Sequence, residues 1–171
     1  MADDDGNITS DNLTANGNDT APAVGIISQY IKDMSVENPN APDAYQWGGQ
    51  PKIDVQFNIG SRKLNDEVHE VELKITVTAT ADQGTAFIVE LAYAGLIGMR
   101  NVPEDQVQPF LFAEAPRILF PFARRILADA VRDAGFQPLM LEPIDFNALY
   151  AQQRAEHDRQ QAAGEQPAGN A

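Results

Sequence analysis

The amino-acid sequence predicts an α+β domain: a four-stranded antiparallel sheet with helices packed on one face. Two observations support this fold class. Apolar and polar residues alternate through the first half of the chain, as in strands with one buried face, and apolar residues recur at spacings of three and four in the second half, as in amphipathic helices. Because the strands precede the helices, we expect an antiparallel sheet covered on one side.

Four segments are predicted to be strands, the first spanning residues 26–37. The apolar positions of the other three are Ile53, Val55, Phe57 and Ile59, then Val71, Leu73, Ile75 and Val77, and then Phe87, Val89, Leu91 and Tyr93. A polar connection is expected at residues 61–66, and a tighter turn at residues 82–84. In the first strand, simple alternation puts Tyr30, Met34 and Val36 on one side and Ile27, Ile31, Asp33 and Glu37 on the other.

Three helices are predicted after the strands. A short helix spans residues 102–114. A long helix is expected to start near Leu119, because Pro121 is tolerated in a first helical turn, and to end at Gly135. A terminal helix covers residues 145–161, with Asp145 as its cap.

Composition and charge restrict the function. The net charge of −13 argues against a nucleic-acid or anionic-membrane surface and favours a basic partner. The absence of cysteine excludes disulfides and thiolate chemistry. The first residues lack the pattern of a signal peptide and no apolar run spans a bilayer, so a cytoplasmic location without membrane insertion is expected. Residues 1–25 carry five acids and no base, and this acidic tail is predicted to be disordered. Residues 151–171 are predicted to hold the end of the terminal helix and then a disordered polar tail, so that the domain itself spans residues 26–150.

A crossover segment follows the first predicted strand. Pro39 and Pro42 disfavour a helix there and favour an extended chain. Tyr45 and Trp47 stand in this polar stretch, and loops often carry binding residues. We therefore expect Tyr45 and Trp47 to bind apolar segments of other chains.

Catalytic signatures are not found in the sequence. His69-Glu70 opens like a zinc-protease motif, but Leu73 stands where the second histidine belongs. No glycine loop with its lysine is present to hold phosphates. The sequence predicts a protein that is not an enzyme and needs no metal or cofactor.

Several segments together resemble the SecB protein-export chaperones. They are residues 31–42 with Asn38-Pro39-Asn40-Ala41-Pro42, residues 70–79, Thr85-Ala86-Phe87, and Ile118-Leu119-Phe120-Pro121-Phe122-Ala123-Arg124. The resemblance implies an ATP-independent chaperone that holds unfolded secretory precursors and delivers them to the SecA motor. It also implies a homotetramer built as a dimer of dimers through the helices. Ala130 and Val131, on the long helix, are the predicted interface residues.

The resemblance places the SecA contact at Asp33, Glu37, Ile88 and Glu90. Residues two or four apart along a strand share a face, so each strand would contribute a stripe to one acidic surface. Two alternatives remain: a SecB-like chaperone dedicated to a single partner, such as a toxin–antitoxin system, or a small-ligand-binding α+β domain.

Overall fold

One antiparallel sheet of four long strands forms the centre of the protein, and the computed structural model describes residues 20–164. The strands are β1 (Ala23–Glu37), β2 (Lys52–Lys63), β3 (Val68–Ala81) and β4 (Gly84–Arg100). Their order across the sheet is β1-β4-β3-β2, so β3 and β4 are central and β1 and β2 are edges. The predicted four-stranded antiparallel sheet is confirmed.

The helices follow the sheet in sequence and cover one of its faces, which we call the inner face. They are α1 (Glu104–Pro109), α2 (Ala115–Asp133) and α3 (Phe146–Gly164), and a π-helical turn at Phe110–Glu114 joins α1 directly to α2. Helix α2 crosses β4 and β3. A Cβ atom on Gly95 of β4 would lie 2.9 Å from a methyl carbon of Leu119, so glycine permits this close approach. The predicted α+β fold class is confirmed.

The core lies between α2 and the inner face. Alternate residues of β3 and β4 are fully buried there, as the period-two pattern predicts. Residues spaced four apart on α2 meet them from the other side, and none is exposed. They are Leu119, Ala123, Leu127 and Val131.

Strand β4 is longer than predicted. The expected strand at residues 87–93 runs from Gly84 to Arg100. Its later residues, including Ala94, Leu96 and Ile97, are buried whichever face they point to. On the outer face the small Ala94 side chain lies between the longer side chains of Tyr30 and Glu72, with which it is in register. A strand covered on both sides loses the polar alternation that marks half-exposed strands.

The predicted start of the long helix near Leu119 is wrong. Helix α2 begins at Ala115 and continues an already helical chain, so Pro121 lies well inside it. Pro121 removes the bond to the carbonyl of Arg117, but both residues are exposed, so water can satisfy that carbonyl. Burial of the apolar stripe on both sides of the proline keeps the helix continuous.

The assignment of β1 side chains to faces is also corrected. Register shifts fall between Ile26 and Ser28 and between Ile31 and Asp33. Because each bulge inserts one unpaired residue, simple alternation fails. Tyr30 therefore shares the outer face with Asp33 and Glu37. Ile31, Met34 and Val36 lie on the inner side, opposite Tyr93, Leu91 and Val89.

Strand β1 and helix α3 form the two ends of the described chain. The Asp145 carboxylate accepts a hydrogen bond of 3.0 Å from the backbone N–H of Ala148, so the predicted cap of α3 is confirmed. Strand β1 starts at Ala23, three residues before the predicted domain boundary. The remainder of both predicted tails, residues 1–19 and 165–171, lies outside the described residues.

Candidate functional site: an aromatic pocket and an acidic sheet face

The crossover segment, residues 38–51, leads from β1 to β2 in compact turns. The predicted extended conformation is wrong, since the chain bends after Asn38 and forms a 3-10 turn at Asp43–Gln46. The backbone N–H of Ala44 donates to the carbonyl of Asn40 at 2.8 Å, and the Ala44 side chain is buried. The φ that proline imposes suits a turn as well as an extended chain, so the prolines exclude only a regular helix.

Two asparagines anchor the crossover segment to the rest of the fold. The Asn40 side-chain amide donates to the carbonyl of Thr85 at the start of β4, at 2.9 Å. The Asn38 amide donates to the Tyr45 hydroxyl at 2.7 Å and to the carbonyl of Ala134 at 2.9 Å, at the end of α2. The crossover segment is thus held between the β3–β4 hairpin and the C-terminal end of α2.

A pocket of about 210 Å³ opens beneath the crossover segment, and we call it the aromatic pocket. The Tyr45 ring lies 5.2 Å from the Phe136 ring, which in turn lies 4.9 Å from the Phe87 ring. The pocket is lined by Ala44, Tyr45, Trp47, Gly49, Pro51, Ala81, Ala86, Gly135, Phe136 and Gln137. Both aromatic residues predicted to bind apolar segments therefore line one concavity.

Tyr45 and Trp47 differ in how they are held there. Tyr45 is largely exposed, and its hydroxyl donates to the carbonyl of Ala134 at 2.8 Å. Trp47 is half-buried against the core, and its ring approaches Gly84 at the β3–β4 turn. The pocket thus combines an exposed aromatic ring with a supported one.

The four residues expected to contact SecA lie together on the outer face, the side of the sheet opposite the helices. Register pairs Glu37 with Ile88 and Ser35 with Glu90, and the next pair on the same face is Asp33 with Ala92. Within residues 20–164, Asp33, Glu37 and Glu90 make no ion pair, so their charges face solvent. We call Asp33, Glu37, Ile88 and Glu90 the acidic face.

A charge network occupies the other end of the outer face. Its centre is Glu70, which is 5% exposed. The Glu70 carboxylate accepts hydrogen bonds from the Tyr30 hydroxyl at 2.7 Å, from Lys32 at 3.0 Å and from Arg62 at 3.1 Å. Lys32 also pairs with Glu72 at 3.0 Å. Lys32 and Arg62 are thus paired within this network, while the exposed Lys74 of β3, in register with Ala92, lies on the outer face beside the acidic face.

Electrostatics within the network follow from burial and hydrogen bonding. Burial would raise the pKa of Glu70, but the bonds from Tyr30, Lys32 and Arg62 outweigh it and hold the pKa below its usual value. Burial, with the bond to Glu70, raises the pKa of Tyr30 to about 12. Glu70 is therefore ionised and Tyr30 protonated at neutral pH.

The two residues predicted to form an oligomer interface are both buried by their own chain. Val131 has no exposed surface, and Ala130 is 8% exposed beside a groove between α2 and β1. Phe122, whose spacing places it in the apolar stripe, is instead 41% exposed and stacks on Tyr93 at 6.5 Å. A charge placed at Val131 would therefore enter the core.

Sequence reasoning missed three residues that shape the aromatic pocket. The apolar pattern suggests only that Phe136 packs with the helices, whereas its ring lies between the rings of Tyr45 and Phe87. Gly135 is recognisable only as the stop of α2, and Asn38 only as part of a motif. Local patterns gave no signal for Asn38, because its partner Ala134 is distant in the sequence.

Metal clusters and membrane spans are both absent from the described part of the chain. Within residues 20–164, no cluster of His, Cys, Asp and Glu side chains is arranged to hold a metal ion. None of the helices in that range is long and apolar enough to cross a membrane.

Comparison with solved structures identifies the fold. A SecB-like chaperone from Mycobacterium tuberculosis, solved in complex with an antitoxin peptide, superposes with a TM-score of 0.60. The match covers 71% of this chain and 90% of that chain, at 14% sequence identity. The fold is therefore that of a SecB-like chaperone.

Sequence comparison gives the family. The family model described as preprotein translocase subunit SecB matches residues 17–157. The protein-export protein SecB of Novosphingobium aromaticivorans is 65% identical, with 98% of this chain and 99% of the relative covered. That of Sphingopyxis alaskensis is 57% identical, with both chains covered completely. The chain belongs to the SecB family of protein-export chaperones, which confirms the resemblance found in the sequence.

Proposed function

We propose that this protein holds unfolded secretory precursors in the cytoplasm, without ATP, and that the aromatic pocket binds their apolar side chains. The observation that carries this proposal is the open concavity lined by Tyr45 and Trp47 in a member of the SecB family. An unfolded chain presents apolar side chains at intervals, and a cleft with aromatic walls fits them.

The size of the pocket favours a side chain over a whole ligand. Pockets for drug-sized molecules are typically about 300–1,000 Å³, whereas this one is about 210 Å³. Its lining also lacks a charged side chain to orient a small substrate. The likeness to the mycobacterial chaperone extends only to the fold, so nothing favours a dedicated antitoxin partner here.

Replacing Trp47 by Ala tests client binding. We expect the variant to suppress aggregation of an unfolded precursor less well than the wild type, at equal chaperone concentration and without nucleotide. Trp47 is the one tryptophan of the chain, so the control is Tyr150→Ala, which removes another aromatic ring on α3, outside the pocket. Suppression by Trp47→Ala equal to that of the control and the wild type would remove Trp47 from the site.

For the handover step, we propose that the acidic face docks a basic segment of SecA. A flat surface with Ile88 among Asp33, Glu37 and Glu90 offers one apolar contact within a negative field. Such complementarity mainly fixes register and raises the association rate. Exposed pairs contribute about 0–1 kcal/mol each, so a single Ala change should weaken docking modestly.

Charge reversal tests the acidic face. Changing Asp33, Glu37 and Glu90 together to Lys should abolish SecA binding and leave client holding unchanged. The matched control reverses three exposed acids away from this face, Glu104, Glu142 and Glu156, with the same change in net charge. Equal loss of SecA binding in both triple variants would show that net charge, not this face, drives docking. Added salt should weaken wild-type binding.

We also propose that the chain assembles as a homotetramer, a dimer of dimers, with the Ala130–Val131 turn of α2 at or near the interface. Ile31, Val36 and Phe122 are exposed apolar side chains on β1 and α2, and the outer edge of β1 has no strand partner within residues 20–164. Exposed apolar edges of this kind favour association.

Mass measurement by light scattering tests the assembly, with four times the 18.6 kDa chain as the expected result. Phe122→Glu should reduce the mass while leaving the helical circular dichroism intact, because the side chain is already exposed. Val131→Glu should instead unfold the chain. A monomeric wild-type mass at micromolar concentration would contradict the proposal.

A further inference from the structure

We propose that Asn38 is a positioning residue of the aromatic pocket. Its side-chain amide and the Tyr45 hydroxyl form a latch that ties the crossover segment to the C-terminal end of α2 and sets the opening of the pocket. This inference rests on the proposed client site, and it adds the residue that fixes the wall of that site.

The latch is a closed triangle of hydrogen bonds. Asn38 Nδ2 donates to the Tyr45 hydroxyl oxygen and to the carbonyl oxygen of Ala134, and the Tyr45 hydroxyl donates to the same carbonyl. The three distances are 2.7, 2.9 and 2.8 Å. Ala134 ends α2, where carbonyls have no partner within the helix, so the latch supplies two donors to a group that needs them.

The orientation of the Asn38 amide follows from this chemistry. A carbonyl accepts hydrogen bonds and never donates them, so the amide nitrogen must face Ala134. The Asn38 Oδ1 atom is then buried without a partner among the described residues. A buried unpaired oxygen is unfavourable, which indicates that the two bonds made by the nitrogen hold the side chain in place.

The backbone beyond α2 is shaped for the Tyr45 ring. Gly135 has φ +93°, a conformation that favours glycine, and a Cβ atom there would lie 2.8 and 2.9 Å from two carbons of the Tyr45 ring and 3.0 Å from its hydroxyl oxygen. The ring therefore packs over Gly135 and against Phe136. Packing fixes the plane of the ring, and the hydrogen bonds at its tip fix how far it reaches over the pocket.

Two substitutions separate the latch from the packing. Tyr45→Phe keeps the ring and removes the hydroxyl, and Asn38→Ala removes the amide that holds it. Asn38→Asp keeps the size of the side chain but presents only acceptors to Ala134 and adds a negative charge at a helix C-terminus, so it should behave no better than Asn38→Ala. Asn58→Ala, at an exposed asparagine on β2, is the matched control.

The first readout needs no client. Trp47 lines the same pocket and is the one tryptophan in the chain, so quenching of its fluorescence by acrylamide reports the opening directly. We expect about a twofold or larger rise in the quenching constant for Tyr45→Phe and Asn38→Ala, and none for Asn58→Ala. Faster amide hydrogen exchange in residues 39–47 should accompany it. Unchanged quenching in both latch variants would overturn the proposal.

The second readout is client affinity. Loss of preorganisation and of about one hydrogen bond should weaken binding of an unfolded precursor roughly fivefold in either latch variant. A rise in quenching with unchanged client affinity would also overturn the proposal, because the latch would then position nothing that clients use. Failure of the client site itself is recognised separately, by unchanged client binding in Trp47→Ala. Circular dichroism melts of Tyr45→Phe, which loses a single oxygen atom, verify that the fold is intact.

Discussion

Replacing Glu70 by Gln should destabilise the protein by about 1–2 kcal/mol at neutral pH. The change keeps the shape of the side chain and removes its charge. Hydrogen bonds to charged groups contribute roughly 1.5–3 kcal/mol and neutral ones roughly 0.5–1.5 kcal/mol, so each charged partner should lose about 1 kcal/mol. Lys32 and Arg62 are 42% and 67% exposed, and solvent screening lowers this figure. The loss should therefore stay below the roughly 3–5 kcal/mol of a fully buried broken pair.

The pH dependence of that difference gives the sharper test. Hydrogen bonding holds the pKa of Glu70 below its ordinary value near 4.5, so its contribution to stability is complete above that value. The contribution is lost as the pH falls through the lower pKa of the folded state. Urea unfolding of both proteins, at one fixed protein concentration, should show the difference at pH 7 and its progressive loss as the pH falls below 4.5. A difference that is independent of pH, or a more stable Gln variant, would show that the charge of Glu70 does not stabilise the fold.

Three further predictions concern single residues. Gly135→Ala should cost about 1–2 kcal/mol, because φ +93° disfavours a side chain and the new Cβ meets Tyr45; an unchanged urea midpoint would contradict this. His69→Gln should flatten the dependence of stability on pH. Burial, aided by Lys63, lowers the pKa of His69, so stability that is present above pH 6.5 is lost as the pH falls through the folded-state pKa. Parallel stability–pH profiles of the variant and the wild type would argue against this role of His69. Asp145→Ala should raise hydrogen exchange in the first turn of α3 by removing a cap that stabilises it by about 1 kcal/mol, and unchanged exchange would exclude that role.

The regular parts of the fold were predictable because local patterns determine them. Half-buried strands show a period of two, as at Ile53 to Ile59, and Asp145 was recognisable as a cap from its place before an apolar run. The extension of β4 was not predictable in this way, since Ala94 and Ile97 are buried on opposite faces and carry no alternation. The bulges in β1 also left no local signal, and they moved Tyr30 to the outer face.

The candidate site was predictable only where residues carry their own chemistry. Tyr45 and Trp47 stood out as aromatics in a polar segment, and the structure places both in one pocket. The latch was not predictable, because it joins Asn38 to Ala134 across nearly the whole domain. Such long-range contacts depend on the tertiary fold and leave no trace in local spacing.

Hydrogen exchange on client binding tests whether unfolded precursors occupy the aromatic pocket. The wild-type protein is measured alone, with an unfolded secretory precursor, and with the same precursor after it has folded. We expect slower exchange in residues 39–47 and around Ala86 and Phe136 with the unfolded precursor only. Protection confined to other parts of the chain, or equal protection by the folded precursor, would contradict a client site at the aromatic pocket.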